Sequence, residues 1–303
     1  MKSKIIEILK NIPDIEIEID KDLKKFSTMH LDAIGDLITI KNKEALKSVV
    51  KRLTKNDVHY RVLGWGANVL LPASSTIPYL QLDFSFDRAL FQNAQDEYLL
   101  PASVALATLT SHATRFGLKG WEVFTGIPAS LGGAIFMNAG TNLGEIGSII
   151  REVYLVTRKG EEKLIKIDQH SFSYRHNHFV EPGDIIYQAR LIHFGIEEAI
   201  SKKIRDYLEM RNRTQPLKEW TCGCVFKNHH DLNRGVTCRA GLFIDIMGLK
   251  GLSYKNLKIS PKHANFMENS GESSQEDVLK MISVLQKELK LQTGVTFETE
   301  VEY

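Results

Sequence analysis

The sequence predicts an α+β protein of two or three subdomains, and three observations carry that reading. The first third alternates strand-like and helix-like segments in βαβ order. The middle holds a glycine-dense, charge-free stretch followed by hairpin signals. The last third carries two helix patterns and ends in an alternating, strand-like run. A chain of 303 residues, 43% hydrophobic and 25% charged, can bury a core but exceeds what one simple core usually supports.

In chain order, "MKSKIIEILKN" sets isolated apolar pairs between charges, which reads as an amphipathic helix and lacks the continuous apolar run of a signal peptide. "LITI" at residues 37–40 is strand-like, residues 45–53 have helical spacing, and "HYRVLG" at residues 59–64 is strand-like again. "GWGANVLLP" follows, then strand-like "YLQLDF" and "EYLL". A helix comes next, with Ala102, Leu106, Leu109, Ala113 and Phe116 on one face and a stop at Gly117. Eight of the 21 glycines fall within residues 117–147, a density suited to backbone packed against something other than side chains. Residues 123–144 carry no charge over 22 positions, but Pro128, Asn138, Asn142 and five glycines make them a poor bilayer helix, so no membrane partner is expected. "VYLVTRKGEEKLIKI" reads as a hairpin turning at Lys159-Gly160, and "DIIYQARLIHF" as a long strand. A polar helix over about residues 197–211 marks a domain boundary near its start. The last helix begins at a Ser273-x-x-Glu276 capping box and turns Val278, Met281, Ile282, Leu285 and Leu289 inward, and "TFETEVEY" is a closing strand.

A formal charge of +2 is too mild for a nucleic-acid binder that relies on counterion release. The odd number of cysteines, with no signal or membrane span, points to the cytoplasm, where thiols stay reduced. "TCGCVFKN" at residues 221–228 places Cys222 and Cys224 either side of one glycine. A disulfide there would close a very small, strained ring in a reducing compartment. Cys222, Cys224, His229, His230 and Cys238 lie within 17 residues and could supply four zinc ligands, although C-x-C is looser than paired C-x-x-C motifs. The third reading gives one thiol a proton to handle.

The glycine clusters suggest an anion cradle. Gly64 and Gly66 follow a strand, where converging N–H groups could meet a phosphate. Gly126, Ala129, Ser130, Gly132 and Gly133 flank Pro128 and lead into a helix-like run, whose start could receive a pyrophosphate. Neither cluster matches G-x-x-x-x-G-K-[ST] or G-x-G-x-x-G with its distant acid. Arg211, Arg213 and Lys218, then Lys250, Lys255, Lys258, Lys262 and His263, suit a ligand carrying a diphosphate and a carboxylate; the bland alternative for each lysine is solubilising surface charge.

The ordered succession "VLGWGANVLL", "GLKGWEVFTGIPASLGGAIFMNAGTNLGEI", "FSYRHNHF", "RNRTQPLKEWTCGCVFKN", "AGLFIDIMGLKG", "SPKHANFMEN" and "GVTFETEVEY" resembles the UDP-N-acetylenolpyruvoylglucosamine reductase family, in its shorter form, over nearly the whole chain. The resemblance implies a two-part FAD-binding domain of the vanillyl-alcohol-oxidase type, divided at residues 1–85 and 86–197, and a C-terminal α+β substrate domain at residues 198–303. It implies FAD wrapped by Gly64, Trp65, Gly66, Ala67, Asn68 and Val69 and by Gly126, Ile127, Pro128, Ser130, Gly132 and Gly133. The chain departs from the family at Trp65, Ala67 and Ala129.

The implied reaction reduces an enol ether of a UDP-sugar, with NADPH and the sugar nucleotide using one pocket in turn and the protein acting as a monomer. Arg175 matches the family's catalytic arginine, whose guanidinium grips a carboxylate in fork geometry. Glu300 matches the catalytic glutamate. Its neighbours Glu298 and Glu302 share its strand parity, a pattern that on its own reads as a solvated edge. Cys224 stands where the family has a proton-donating serine, and a free thiol with a pKa of about 8.5 keeps its proton at neutral pH. Tyr174, Arg213, Asn228 and His263 match substrate contacts. The alternatives are an FAD-linked oxidase on the same scaffold, which needs no trio of Arg175, Cys224 and Glu300, and a non-catalytic zinc protein.

Overall fold

The structure is a computed structural model that describes residues 2–231 and 235–303. The chain divides into two compact units. The first comprises residues 1–21, 35–65 and 76–208, and the second residues 22–34, 66–75 and 209–303. Among the described residues no helix is long and apolar enough to cross a membrane.

The first unit contains the expected βαβ element. Strand Ile34–Ile40 runs parallel to Tyr79–Leu82, with Leu37 opposite Tyr79, and Arg61–Val62 lies parallel on the other side of Tyr79–Leu82. Helix Lys43–Lys55 connects them. Asn42 caps it by accepting the Ala45 N–H at 2.9 Å, and Leu46, Val49, Val50 and Leu53 are buried with Ile5 and Leu9 of the amphipathic helix Lys2–Leu9. "HYRVLG" contracts to two residues of strand. The second sheet is antiparallel, in the order Glu97–Pro101, Ile185–Ile192, Ile150–Val156, Glu162–Lys166. Its last two strands are the hairpin read from "VYLVTRKGEEKLIKI". Tyr98, Trp121, Phe124 and Leu131 are fully buried against this sheet, so the charge-free stretch starts inside a core and not in a membrane.

The second unit packs a three-stranded sheet, Ser253–Tyr254, Leu257–Ile259 and Met267–Asn269, with helices Ala240–Ile246 and Gln275–Thr293. Val278, Met281, Ile282, Leu285 and Leu289 are buried as their spacing requires. The capping box is shifted by one residue. Ser274 is the N-cap, accepting the Asp277 N–H at 3.3 Å, while Asp277 accepts the Ser274 N–H at 3.2 Å. "SSQED" fits the pattern in either register, and only the folded backbone selects between them. "TFETEVEY" forms no regular strand, because its two halves bond different neighbours. Lys227 N–H and Glu300 N–H tie residues 298–300 to residues 225–227, whereas Glu302 N–H and Leu70 N–H tie its end to residues 68–70.

Candidate active site

In the first unit, Gly64, two residues beyond the strand Arg61–Val62, abuts Ser130. A Cβ on Gly64 would lie 2.7 Å from Ser130 Oγ, so a glycine at position 64 lets the two predicted cofactor segments touch. The start of helix Leu131–Phe136 differs from expectation. Its N–H groups are already satisfied: Leu131 donates to Val104 O at 2.8 Å, Gly132 to Ala102 O at 2.8 Å, and Gly133 to Ser130 Oγ at 3.4 Å. This helix start is therefore not an open anion site. Gly132 is glycine because a Cβ would meet Ala102 Cβ at 2.7 Å.

In the second unit Gly66 sits at φ +59°, and a Cβ there would lie 2.1 Å from Phe26 O and 2.6 Å from Ser27 Cα. Thr28 N–H donates to Gly66 O at 3.1 Å, and Thr28 Oγ1 to Thr221 O at 2.7 Å, so residues 26–28 stitch the glycine loop to the "TCGC" segment. Ser27 Oγ is buried beside that loop with no hydrogen-bond partner among the described residues. The close approach is made by the chain's own backbone, so residue 66 must be glycine for residues 26–28 to hold the loop that bears the predicted cofactor contacts. Ser27 and Thr28 were not read from the sequence, which offers no local pattern for them.

Arg175 tips a tight hairpin in the first unit, between Phe172–Ser173 and His176–Asn177, at φ +56°. A bulky non-glycine residue there stores strain, a frequent mark of functional positions. Its Nη2 donates to Gly140 O at 2.9 Å, its Nη1 lies 3.6 Å from Glu145 Oε1, and its Cζ sits 4.9 Å from the Tyr174 ring centroid. The side chain is 14% exposed, so this guanidinium is largely buried and is not an ordinary surface cation.

The two cysteines of "TCGCVFKN" differ in environment. Cys222 is 1% exposed within the second unit's apolar core, and burial pushes its thiol up to about 12. Cys224 is only partly buried and pairs as an isolated bridge with Phe266, next to Val225, whose carbonyl accepts the Glu300 N–H at 2.8 Å. Cys224 and Glu300 thus lie on neighbouring segments of the same unit. Glu300 is partly buried and its carbonyl accepts from Asn68 Nδ2 at 2.7 Å, while Glu298 is exposed and 3.5 Å from Lys227. The three acids do not share one solvated edge. The structure does not assemble the zinc set: His229 and Cys238 are paired across a hairpin, but Cys222 is a core side chain, and among the described residues no three His, Cys, Asp or Glu are grouped to hold a metal.

Of the substrate residues, Asn228 Oδ1 accepts the Ala240 N–H at 3.3 Å. His263 is half-buried, edge-on to Phe266 at 4.8 Å, with its pKa lowered by burial and then by Lys250. Arg213 is exposed, whereas Arg211 is 8% exposed and bonds Gln215 Oε1 at 2.9 Å. The lysine cluster dissolves into ion pairs: Lys250 with Asp245 at 2.6 Å, Lys255 with Asp277 at 2.6 Å, and Lys258 with Glu268 at 3.0 Å. These lysines are surface partners of nearby acids. A cleft of about 600 Å³ in the second unit is lined by His229, Cys238, Phe243 and Met247, and by none of the predicted catalytic or substrate residues.

Residues 37–165 match the domain model described as FAD binding domain. This match defines the class: a flavoprotein oxidoreductase that uses FAD. Residues 215–303 match the model described as UDP-N-acetylenolpyruvoylglucosamine reductase, C-terminal domain. Curated relatives bearing that name include the protein of Syntrophomonas wolfei, 30% identical over 297 residues and 97% of both chains. Another is that of Halalkalibacterium halodurans, 30% identical over 99% of this chain and 98% of its own. The crystal structure of UDP-N-acetylenolpyruvylglucosamine reductase from Thermus caldophilus superposes with a TM-score of 0.76 at 30% identity, covering 95% of this chain and 98% of that one. The chain belongs to the UDP-N-acetylenolpyruvoylglucosamine reductase family, enzymes of peptidoglycan precursor synthesis.

Proposed function

We propose that this protein is an NADPH-dependent reductase that converts UDP-N-acetylglucosamine enolpyruvate to UDP-N-acetylmuramate, and that Cys224 supplies the proton. The observation that carries the assignment of the thiol is the contrast within one motif: Cys222 is sealed in a core, and Cys224 is partly exposed on the segment beside Glu300. FAD, reduced by NADPH, supplies the hydride for the terminal enolpyruvyl carbon. Arg175 holds the carboxylate toward which negative charge moves, a task for a permanently charged, fork-shaped donor. The Cys224 thiol then gives its proton to the carbon beside the carboxylate, and water restores it. Glu300 serves this chemistry if it is protonated or anchored by a cation, since a bare carboxylate would repel the developing charge.

Residues 64–69 and 126–133 line the cofactor, with the bonded amides of Leu131, Gly132 and Gly133 taking no part in binding its phosphates, and Tyr174, Arg213, Asn228 and His263 hold the UDP-sugar. The protein works as a cytoplasmic monomer. Anaerobic stopped-flow tests the reading. Cys224→Ala keeps flavin reduction by NADPH but loses flavin oxidation by the enolpyruvyl substrate, and Cys224→Ser keeps both. Equal loss of both half-reactions in the alanine variant would remove Cys224 from the acid role.

A further inference from the structure

Arg175 is held by a short relay that no sequence motif announces. Asn138 is 1% exposed and sits at φ +46°, a left-handed conformation that asparagine tolerates better than other non-glycine residues. Its amide is fully engaged. Nδ2 donates to Glu145 Oε2 at 2.7 Å and to Ser173 O at 2.9 Å, and Oδ1 accepts the Gly147 N–H at 3.1 Å. Ser173 is the strand residue just before the turn that carries Arg175, and Glu145 is the carboxylate 3.6 Å from the guanidinium. Gly140, whose carbonyl accepts from Arg175 at 2.9 Å, is the cross-strand partner of Glu145 in the small hairpin that leaves Asn138. One buried amide therefore grips both the backbone of the arginine's hairpin and the acid that faces the arginine.

We propose that Asn138 and Glu145 are positioning residues for Arg175. Asn138 fixes the Glu145 carboxylate, and Glu145 together with Gly140 O restricts the guanidinium to one orientation before the ligand's carboxylate arrives. The proposal rests on the reading of Arg175 as the group that holds that carboxylate. A buried hydrogen-bonded network of this kind is worth most when each member is satisfied, and loosening it leaves a long, rotamer-rich side chain free to wander. Misplacement of a reacting or binding group by about 1 Å is enough for roughly a hundredfold loss of rate.

The test is a double-mutant cycle on the FAD-loaded enzyme, with Glu145→Gln made in the native and the Arg175→Ala backgrounds. Two quantities are measured: the rate of flavin oxidation by the enolpyruvyl substrate, and the affinity of the oxidised enzyme for UDP-N-acetylmuramate by calorimetry. Glu145→Gln is expected to slow flavin oxidation roughly tenfold to a hundredfold while leaving flavin reduction by NADPH within about twofold. It is expected to weaken product binding, and to do almost nothing further once Arg175 is alanine. Asn138→Asp, which keeps the left-handed tolerance but removes the donor to Glu145, is expected to repeat the pattern.

Equal effects of Glu145→Gln in both backgrounds overturn the positioning role. So does a Glu145→Gln enzyme that binds product more tightly and turns over normally, since Glu145 would then compete with the ligand for Arg175. If Arg175→Ala itself changes neither quantity, the underlying reading of Arg175 falls and the relay with it. Should Asn138→Asp fail to fold, the Glu145→Gln cycle decides alone, because Glu145 is partly exposed and its amide keeps an oxygen for Asn138.

Discussion

Replacing Gly66 by alanine isolates the close approach on which the cofactor loop depends. The position is left-handed at φ +59°, which costs an L-residue about 1 kcal/mol whatever surrounds it. The new Cβ would also stand 2.1 Å from Phe26 O and 2.6 Å from Ser27 Cα, both backbone atoms that cannot turn aside. Relief requires residues 26–28 to move, stretching the Thr28 N–H bond to Gly66 O at 3.1 Å and the Thr28 Oγ1 bond to Thr221 O at 2.7 Å. At about 1 kcal/mol for each bond, the total is roughly 3 kcal/mol. Gly248 supplies the control: its φ is +70° but nothing lies within 4 Å of its would-be Cβ, so Gly248→Ala should cost only about 1 kcal/mol. Denaturant unfolding of both variants measures the difference, and the flavin absorbance retained after gel filtration reports the cofactor. Gly66→Ala should be the less stable by about 2 kcal/mol and should lose flavin, while Gly248→Ala keeps it. Equal stability of the two variants, or full flavin retention by Gly66→Ala, refutes the argument.

Three further outcomes follow from the same structure. Under native conditions iodoacetamide should leave Cys222 unlabelled, since its buried thiol is pushed up to about 12, while Cys224 reacts; peptide mass spectrometry reads this directly. His112 is 4% exposed, within 2.8 Å of the Tyr98 hydroxyl, and burial lowers its pKa to about 4 from about 6.5. The unfolded chain then binds the extra proton first, so this stability is complete above about pH 6.5 and is lost as pH falls toward 4, by up to about 3 kcal/mol. Urea unfolding of native and His112→Gln protein at pH 7 and 4.5 should show that the variant lacks this component. Ser274→Ala should cost about 1 kcal/mol, whereas Ser273→Ala, which removes a buried hydroxyl with no partner among the described residues, should be neutral or stabilising. The reverse order in a thermal melt would restore the capping register expected from the sequence.

Some features were legible because they depend on neighbours along the chain. The inward face of helix Gln275–Thr293, the stop at Gly117 and the hairpin through Lys159-Gly160 follow from local periodicity and turn chemistry. Arg175, Cys224 and Glu300 stood out only as members of ordered motifs. The pattern could not say that Cys222 is a core residue, because a C-x-C spacing is the same whichever thiol faces inward. Nor could it separate the lysines of the last third from a ligand site, since their acidic partners lie between 5 and 22 residues away in sequence.

The sequence by itself determined the alternation of elements, the placement of the glycine-rich loops and the membership of the family, because these are written in short-range order and in blocks kept in register. Only the tertiary structure decided that the amides at Leu131, Gly132 and Gly133 are already spoken for, that the Ser27 hydroxyl beside Gly66 has no partner among the described residues, and that Asn138 and Glu145 hold Arg175. The physical reason is that a hydrogen bond or a steric contact is a property of two groups in space, and here every partner but the Ser130 hydroxyl that caps Gly133 comes from a segment 7 to 39 residues away, so no local pattern records those pairings.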